Sequence, residues 1–165
     1  MEIKNQRALA ALLACLRKGN LQQSGLTEDL IPPSKEIAYR VANLVERELG
    51  WEVKGWKIAA TNTEMQRALR TDPPIYGRVY SQFIKQSPLT VNFDELSSPI
   101  PEAEYQVFLG KDLPPRVDRY KISEVADSVS SVHPGLELAE CRFKHDKKFP
   151  PLEAILADGA GSGIL

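Results

Sequence analysis

The sequence predicts an α+β protein in which helices come first and strands follow. Three observations indicate this class: a leucine stripe near residue 9, a capped apolar pattern after Pro33, and short strand-like segments beyond residue 51. The regular alternation of strands and helices that marks a parallel sheet is missing from this pattern. Proline lacks the backbone N–H that helices and sheets use, so the predicted elements lie between the Pro-Pro pairs Pro32-Pro33, Pro73-Pro74, Pro114-Pro115 and Pro150-Pro151.

Spacing and capping predict the two N-terminal helices. The first carries leucines at the i, i+3, i+4 and i+7 positions of an amphipathic helix, namely Leu9, Leu12, Leu13 and Leu16. The second begins after Ser34, a favourable N-cap, and stops at Gly50, which suits the left-handed position after a helix. Its apolar face comprises Ile37, Val41, Leu44, Val45 and Leu49.

Residue type and turn signals predict the remaining elements. Strands are expected over residues 51–60, 75–83, 100–109 and 136–142, where apolar residues alternate or aromatic and β-branched residues are frequent. Thr61-Asn62-Thr63-Glu64 has the form of a capping box and begins a short helix that reaches about Arg70. Further helices are expected near residues 122–129 and 152–157.

Composition limits the classes of partner. Over 165 residues, 21 Lys and Arg against 22 Asp and Glu give a formal charge of −1, too small for the long-range field of a non-specific nucleic-acid or anionic-membrane binder. We therefore expect neither nucleic-acid nor membrane partners. An apolar fraction of 42% fits one folded domain. Cys15 and Cys141 lie far apart, which gives neither a disulfide framework nor zinc spacing and favours a cytoplasmic location.

Three segments partly match the patterns of a membrane span or signal peptide, a basic phosphate-binding patch and a phosphate-binding loop, but none has the full pattern. The apolar run over residues 8–16 is well below the roughly 20 residues of a membrane span. Glu2 and the helical leucine spacing favour a plain helix over a signal peptide. The basic stretch 142–148 contains Asp146 and is interpreted as a solvated loop. The glycine-rich stretch 158–163 has neither a lysine nor a following helix, so it is not interpreted as a phosphate-binding loop.

A pair of glutamates on one predicted strand is the first candidate site. Residues i and i+2 of a strand point to the same face about 6.6–6.8 Å apart, so Glu102 and Glu104 present two carboxylates side by side. Two such carboxylates can share one cation, and hard oxygen ligands suit Mg²⁺, Mn²⁺ or Ca²⁺. The alternative is an exposed strand face, where Glu-x-Glu is common, and spacing leaves both open.

A third carboxylate, Glu137, lies on a predicted strand whose same face carries Gly135 and Ala139. Their small side chains leave room around the carboxylate, and this setting fits a metal ligand. The alternative, in which Glu137 or Glu140 pairs with Arg142 at the surface, stays open because spacing does not decide between them.

Lys57 is the remaining candidate. It lies in Gly55-Trp56-Lys57-Ile58-Ala59, between apolar neighbours on a strand that leads into a helix. A lysine in this setting either extends its stem outward to solvent or is a buried cation beside the carboxylates. The sequence has no Ser/His/Asp constellation, Walker loop or dinucleotide-binding glycine motif.

The order of short motifs along nearly the whole chain is specific to a known family. The motifs are Ile31-Pro32-Pro33, Glu36-Ile37-Ala38-Tyr39, Gly55-Trp56-Lys57-Ile58, Met65-Gln66-Arg67-Ala68-Leu69, Asp72-Pro73-Pro74-Ile75-Tyr76-Gly77, Glu102-Ala103-Glu104, Leu136-Glu137, Cys141-Arg142 and Ala157-Asp158. In this order they resemble the 2-oxopent-4-enoate hydratase and 4-oxalocrotonate decarboxylase branch of the fumarylacetoacetate hydrolase superfamily.

The resemblance implies a fold, a metal and a set of site residues. The fold consists of N-terminal helices followed by part of a mixed β-barrel or roll. It forms a single domain over residues 1–165, with residues 1–50 as the helical part and residues 51–165 as the start of the roll. The cation is Mg²⁺ or Mn²⁺. The matching residues are the metal ligands Glu102, Glu104 and Glu137, the catalytic residues Lys57 and Asp72, and the substrate contact Ser162.

The implied reaction is hydration of 2-hydroxypenta-2,4-dienoate-like unsaturated 2-oxo acids in aromatic-compound catabolism. A carboxylate oxygen and the 2-oxygen of such a substrate form a chelating pair, and the metal would stabilise the enolate. Lys57 would hydrogen-bond the substrate and move protons. The alternatives are a 4-oxalocrotonate-type decarboxylase, a non-catalytic metal- or partner-binding relative, and an acylpyruvate hydrolase. That last class uses a His/Glu pair, which neither His133 nor His145 matches.

Three departures from the family pattern change the expectations. Ile75 stands where relatives have an acidic residue, and residues 157–162 are glycine-rich where relatives are serine-rich. Relatives also continue beyond the position that matches Leu165, so the chain is interpreted as C-terminally truncated. Strand faces around Val107 and Leu138 then lack partners. We expect the chain alone to be less stable than a complete relative, to form a homo-oligomer, and to show little or no hydratase turnover.

Overall fold

The α+β class is confirmed by a computed structural model that describes residues 1–144 and 150–165. The helices are α1 (Ile3–Gly19), α2 (Lys35–Leu49), α3 (Thr63–Leu69), α4 (Ile122–Ala126) and α5 (Leu152–Ala157). The strands are β1 (Val53–Ala59), β2 (Ile75–Tyr80), β3 (Ile100–Leu109) and β4 (Val129–Ala139). His145 and most of the basic stretch predicted to be a solvated loop lie outside the described residues.

The two N-terminal helices form as their capping signals predict. The Ser34 side chain accepts a hydrogen bond from the Ile37 amide at 3.4 Å, and Gly50 adopts the left-handed conformation, with φ 65°, that ends α2. α1 packs against α2, and α2 packs against α5. Their buried side chains form the main core, which includes Leu9, Leu13, Ala38, Val41, Val45, Leu49, Leu156 and Ala157.

We expect the substitution Ser34→Ala to lower the free energy of unfolding by about 1 kcal/mol, because α2 loses a side-chain acceptor for one of its first amides. Urea titration followed by circular dichroism measures the loss. Thr27→Ala is the matched control, since Thr27 precedes a short 3-10 turn without accepting a capping bond. Equal losses in the two variants would contradict the capping role.

The strands form two separate antiparallel sheets of two strands each, β1–β2 and β3–β4. In the first sheet Lys57 pairs with Gly77, and in the second Glu102 pairs with Glu137. Over the ranges that the structure describes, neither sheet closes into a barrel. None of the described helices is both long enough and apolar enough to cross a membrane.

Several element boundaries differ from the prediction. The Asn62 side chain, rather than Thr61, caps α3 by accepting from the Met65 amide at 2.9 Å, so the expected capping box does not form. β2 ends at Tyr80, where a 3-10 turn begins. α4 ends at Ala126, and β4 begins at Val129 instead of residue 136. Pro134 does not interrupt β4, because an edge strand accommodates a residue that lacks a donor.

A buried ion pair connects the first helix to the residue after the last one. Arg17 Nε lies 3.0 Å from Asp158 Oδ1, with both side chains almost fully buried. The other carboxylate oxygen of Asp158 accepts from the Arg142 amide at 3.0 Å. Asp158 therefore joins α1, the segment after β4 and the end of α5, and it fixes where the following glycine-rich segment begins.

Candidate metal centre

Strand pairing brings three carboxylates to one place. Along β3, Glu102 and Glu104 alternate with exposed Ala103 and Tyr105, so the two glutamates point to the less exposed face. Glu102 lies directly opposite Glu137 of β4. One oxygen atom from each of the three glutamates lies within 4.8 Å of the other two. The structure thus brings together the three residues that the sequence analysis named as ligands.

Glu137 is the buried member of this carboxylate cluster, at 2% exposure. Burial raises the pKa of Glu137 above the usual glutamate value, whereas Lys57 and a hydrogen bond from the Gly163 amide, at 3.2 Å, lower it. Like charges directly opposite each other in a sheet are destabilising. A buried carboxylate beside two others therefore needs a cationic partner.

Lys57 supplies a positive charge from the other sheet. Its Nζ lies 3.2 Å from Glu137 Oε2 and 3.4 Å from Glu102 Oε2. It also donates to the Ala160 carbonyl oxygen at 3.4 Å. The residue is only 8% exposed, so it is the buried cation of the two alternatives that the sequence left open.

Cavities flank the carboxylate cluster on two sides. One cavity of about 450 Å³ is lined by β1 and β3, and another of about 440 Å³ reaches towards α3 and α5. Lys57 and Glu104 border both cavities. The apolar wall of the second cavity comprises Met65, Leu69, Ile75, Ile100 and Ile155. A small molecule therefore has space beside the charged groups.

The space beside Gly135 is occupied, contrary to the expectation that this small residue leaves room around Glu137. A Cβ at position 135 would overlap the Gln106 side-chain amide. Gln106 follows Glu104 on the same face of β3 and lines the 450 Å³ cavity. The i+2 spacing that singled out the glutamates also points to Gln106, which the sequence analysis missed.

The other two predicted site residues lie outside the cluster. Asp72 is exposed in the turn before β2. Ser162 is buried, and its hydroxyl donates to the Arg78 carbonyl oxygen at 2.6 Å. Neither residue lines the cavities beside Lys57. The catalytic role of Asp72 and the substrate contact of Ser162 stay predictions.

The alternative interactions that the sequence left open, an ion pair with Arg142 and a His/Glu pair, do not involve Glu137. Glu140, not Glu137, approaches Arg142, with 3.8 Å between Oε2 and Nη2, and both side chains are buried rather than at the surface. His133 is exposed, and its ring contacts Ser131 Oγ at 3.0 Å. It lies four residues from Glu137 along β4, about 13 Å away. The two residues are therefore too far apart to form a His/Glu pair.

The two cysteines differ in environment. Cys15 is exposed on α1, whereas burial raises the pKa of the partly buried Cys141 thiol to about 11. Because the thiolate is the reactive form, we expect iodoacetamide at pH 8 to alkylate Cys15 at least about ten times faster than Cys141. Peptide mass spectrometry measures both rates in one sample. Urea-unfolded chain is the control, and equal rates in the folded chain would contradict this expectation.

Comparison with known proteins identifies curated relatives. The chain is 26% identical over 161 residues to 2-keto-4-pentenoate hydratase 1 of Dechloromonas aromatica (strain RCB). This alignment covers 95% of this chain and 59% of the relative. It is 31% identical over 116 residues to 2-keto-4-pentenoate hydratase of Paraburkholderia xenovorans (strain LB400). That alignment covers 70% of this chain and 42% of the relative. No protein-family model matches the sequence.

Solved structures share the fold. 4-oxalocrotonate decarboxylase from Pseudomonas putida G7, complexed with magnesium and adipate, matches with a TM-score of 0.87 at 21% identity over 99% of this chain and 62% of that chain. The chain is thus similar in sequence to 2-keto-4-pentenoate hydratases and in fold to 4-oxalocrotonate decarboxylase, and both findings support the resemblance seen in the sequence. It spans about three fifths of the length of the Dechloromonas hydratase and the decarboxylase.

Proposed function

We propose that the chain binds one divalent cation, Mg²⁺ or Mn²⁺, through Glu102, Glu104 and Glu137. The observation that carries this proposal is the convergence of the three carboxylates within 4.8 Å on two paired strands. Carboxylate oxygens are the ligands that these hard cations prefer. The donor set fits such an ion, because one ammonium group balances only part of the charge of three carboxylates. The decarboxylase with the same fold is complexed with magnesium in one structure and with calcium in another.

We further propose that the protein is a hydratase of 2-hydroxypenta-2,4-dienoate-like unsaturated 2-oxo acids in aromatic-compound catabolism. The curated relatives named 2-keto-4-pentenoate hydratase support this reaction class. When bound, the divalent cation would supply the positive charge that stabilises the negative charge developing on the 2-oxygen. The cavities on either side of the cluster would hold the carbon chain of the substrate.

Lys57 has the position of a donor to the substrate. Its ammonium nitrogen lies within 3.4 Å of an oxygen of Glu102, an oxygen of Glu137 and the Ala160 carbonyl oxygen. A donor becomes available to a substrate carboxylate or 2-oxygen once a carboxylate oxygen is engaged elsewhere. Because Lys57 is buried, its stem and the cavity walls also limit water around the reacting carbon atoms. In this proposal Asp72 acts as an acid or base and Ser162 as a substrate contact.

A second candidate is decarboxylation of 4-oxalocrotonate-type substrates, and the fold match to a decarboxylase favours it. Both reactions pass through the same enolate, so Lys57 and the three glutamates would serve either. The position of His133 gives no support to an acylpyruvate hydrolase. A non-catalytic metal-binding protein would keep the cation but not the affinity for 2-oxo acids.

Equilibrium binding and a steady-state assay separate these functions. The purified chain is titrated with Mn²⁺ and then with 2-oxopentanoate, an unreactive analogue that keeps the chelating oxygens. An enzyme site of this class is supported if the chain binds Mn²⁺ and if 2-oxopentanoate binds only to the Mn²⁺-loaded chain. Metal-dependent loss of the ultraviolet absorbance of 2-hydroxypenta-2,4-dienoate would favour hydration, and release of carbon dioxide from 4-oxalocrotonate would favour decarboxylation. If 2-oxopentanoate does not bind to the Mn²⁺-loaded chain, the enzyme proposal is wrong.

The wider organisation follows from the same family resemblance. We propose that residues 1–165 form one domain and that the two sheets belong to a barrel-like or roll-like arrangement. The exposed apolar side chains of Val107, Leu109 and Leu136 support burial of β3–β4 against further strands or another subunit. Homo-oligomerisation, low turnover of the isolated chain and a cytoplasmic location stay predictions.

A further inference from the structure

The two sheets that carry the candidate site are not joined by strand pairing. Lys57 lies on β1, whereas the three glutamates lie on β3 and β4, which form the other sheet. The distance between ammonium and carboxylates therefore depends on another part of the chain that contacts both sheets. Residues 159–165, named here the crossing segment, make such contacts.

The crossing segment is attached to β2 and to the residues that follow β2 by three hydrogen bonds. The Ser162 hydroxyl donates to the Arg78 carbonyl oxygen of β2 at 2.6 Å. The Leu165 amide donates to the Phe83 carbonyl oxygen at 2.9 Å, and the Lys85 amide donates to the Leu165 carbonyl oxygen at 2.7 Å. Leu165 therefore pairs with the turn that follows β2.

The same segment is attached to the second sheet. The Leu138 amide of β4 donates to the Ile164 carbonyl oxygen at 2.7 Å, and the Glu140 amide donates to the Gly161 carbonyl oxygen at 2.9 Å. Leu138 and Ile164 form an isolated antiparallel bridge. The crossing segment thus lies along the free edge of β4.

Two further hydrogen bonds of the crossing segment reach the candidate site. The Ala160 carbonyl oxygen accepts from Lys57 Nζ at 3.4 Å, and the Gly163 amide donates to Glu137 Oε1 at 3.2 Å. One segment therefore holds a charged group from each sheet. Hydrogen bonds to the outer oxygen of a metal-ligating carboxylate orient the ligand and typically change metal affinity about 10–100-fold when they are lost.

We propose that the crossing segment sets the position of Lys57 relative to Glu137, with Gly163 as the positioning residue. Glycine is needed there for steric reasons, because a Cβ at position 163 would overlap the Leu138 carbonyl oxygen. A side chain would push the segment away from β4, lengthen the bond between the Gly163 amide and Glu137, and leave a buried carboxylate without one of its donors. This inference rests on the proposed divalent-cation site.

The substitution Gly163→Ala is expected to weaken Mn²⁺ binding about tenfold or more. Gly25→Ala is the matched control, because a Cβ at Gly25 meets no atom within 4 Å. A second variant, Ser162→Ala, removes the anchor to Arg78 without adding any atom. Loss of that one hydrogen bond is expected to weaken Mn²⁺ binding by about three- to tenfold.

Mn²⁺ affinity is measured by electron paramagnetic resonance and expressed per folded molecule, with the folded fraction taken from urea unfolding. A merely structural role would lower stability but leave the affinity of the folded molecules unchanged. If Gly163→Ala does not fold, Ser162→Ala decides. Wild-type affinity in the folded variants would overturn the positioning role while leaving the proposed function intact. Failure of the unmodified chain to bind Mn²⁺ would overturn both.

Discussion

A Glu137→Gln chain is expected to bind Mn²⁺ about 100-fold more weakly than the unmodified chain, or worse. The reason is that loss of a direct ligand exceeds the roughly 10–100-fold cost of losing the partner of a ligand. Glutamine keeps the volume of the side chain and an oxygen that accepts from the Gly163 amide. The substitution therefore removes charge from the buried carboxylate position with little change in packing.

Stability of the metal-free chain separates a ligand role from a structural one. Burial raises the pKa of Glu137, so the charged form is costly there without a cation. Glu137→Gln still leaves Lys57 with Glu102 at 3.4 Å as a carboxylate partner, so the metal-free free energy of unfolding should change far less than in a chain that lacks Lys57. The stabilisation by added Mn²⁺ should disappear. Glu48→Gln, at an exposed position of α2, is the control. If Mn²⁺ stabilises Glu137→Gln as strongly as wild type, Glu137 is not a ligand.

Local signals in the sequence were sufficient for most elements of this fold. Ser34 and Gly50 delimit α2 because capping depends on residues next to the helix ends. β3 covers the predicted residues 100–109, and its period of two placed Glu102 and Glu104 on one face. Such signals depend only on neighbouring residues, so they predict these elements without knowledge of the rest of the chain.

Errors occurred where a tertiary contact decides the local structure. β4 begins at Val129 instead of the predicted residue 136, because pairing with β3 extends the strand. The cap of α3 is a different case, because Asn62 adjoins Thr61 and asparagine is the more favoured N-cap residue of the two, so the local signal pointed to the observed cap.

The meeting of Lys57 with the carboxylate cluster could not be derived from spacing. The two groups lie in separate sheets, and their contact depends on the hydrogen bonds of residues 159–165. This stretch is glycine-rich, and its sequence pattern does not predict a phosphate-binding loop. Its glycines nevertheless carried a signal, since Gly159 and Gly161 have φ of 81° and 77° and Gly163 approaches β4 closely.

The substitution Lys57→Met is expected to change stability and metal affinity in opposite directions. In the metal-free chain, Lys57 is the cation 3.2 Å from buried Glu137. Removing one partner of a buried ion pair leaves an uncompensated charge, which costs about 3–5 kcal/mol. The lower end of this range applies because Glu102, the other carboxylate near Lys57, is about one third exposed.

Added Mn²⁺ should reverse that loss. The ammonium group competes with a cation for Glu102 and Glu137, so its removal is expected to tighten Mn²⁺ binding rather than weaken it. Affinity of the Mn²⁺-loaded chain for 2-oxopentanoate should fall by about tenfold or more, because the substrate loses a charged hydrogen-bond donor worth about 1.5–3 kcal/mol. Unfolding with and without Mn²⁺ and titration with 2-oxopentanoate measure these three effects.

Lys54→Met provides the matched control for this prediction. Lys54 lies on β1 three residues before Lys57, but its side chain is 51% exposed and pairs with exposed Glu52 at 2.6 Å. An exposed pair of this kind contributes about 0–1 kcal/mol, so the control should leave stability, Mn²⁺ affinity and 2-oxopentanoate affinity nearly unchanged. Weaker Mn²⁺ binding by Lys57→Met would mean that the ammonium supports the metal site instead of competing with the cation. Unchanged affinity for 2-oxopentanoate would remove Lys57 from the substrate site.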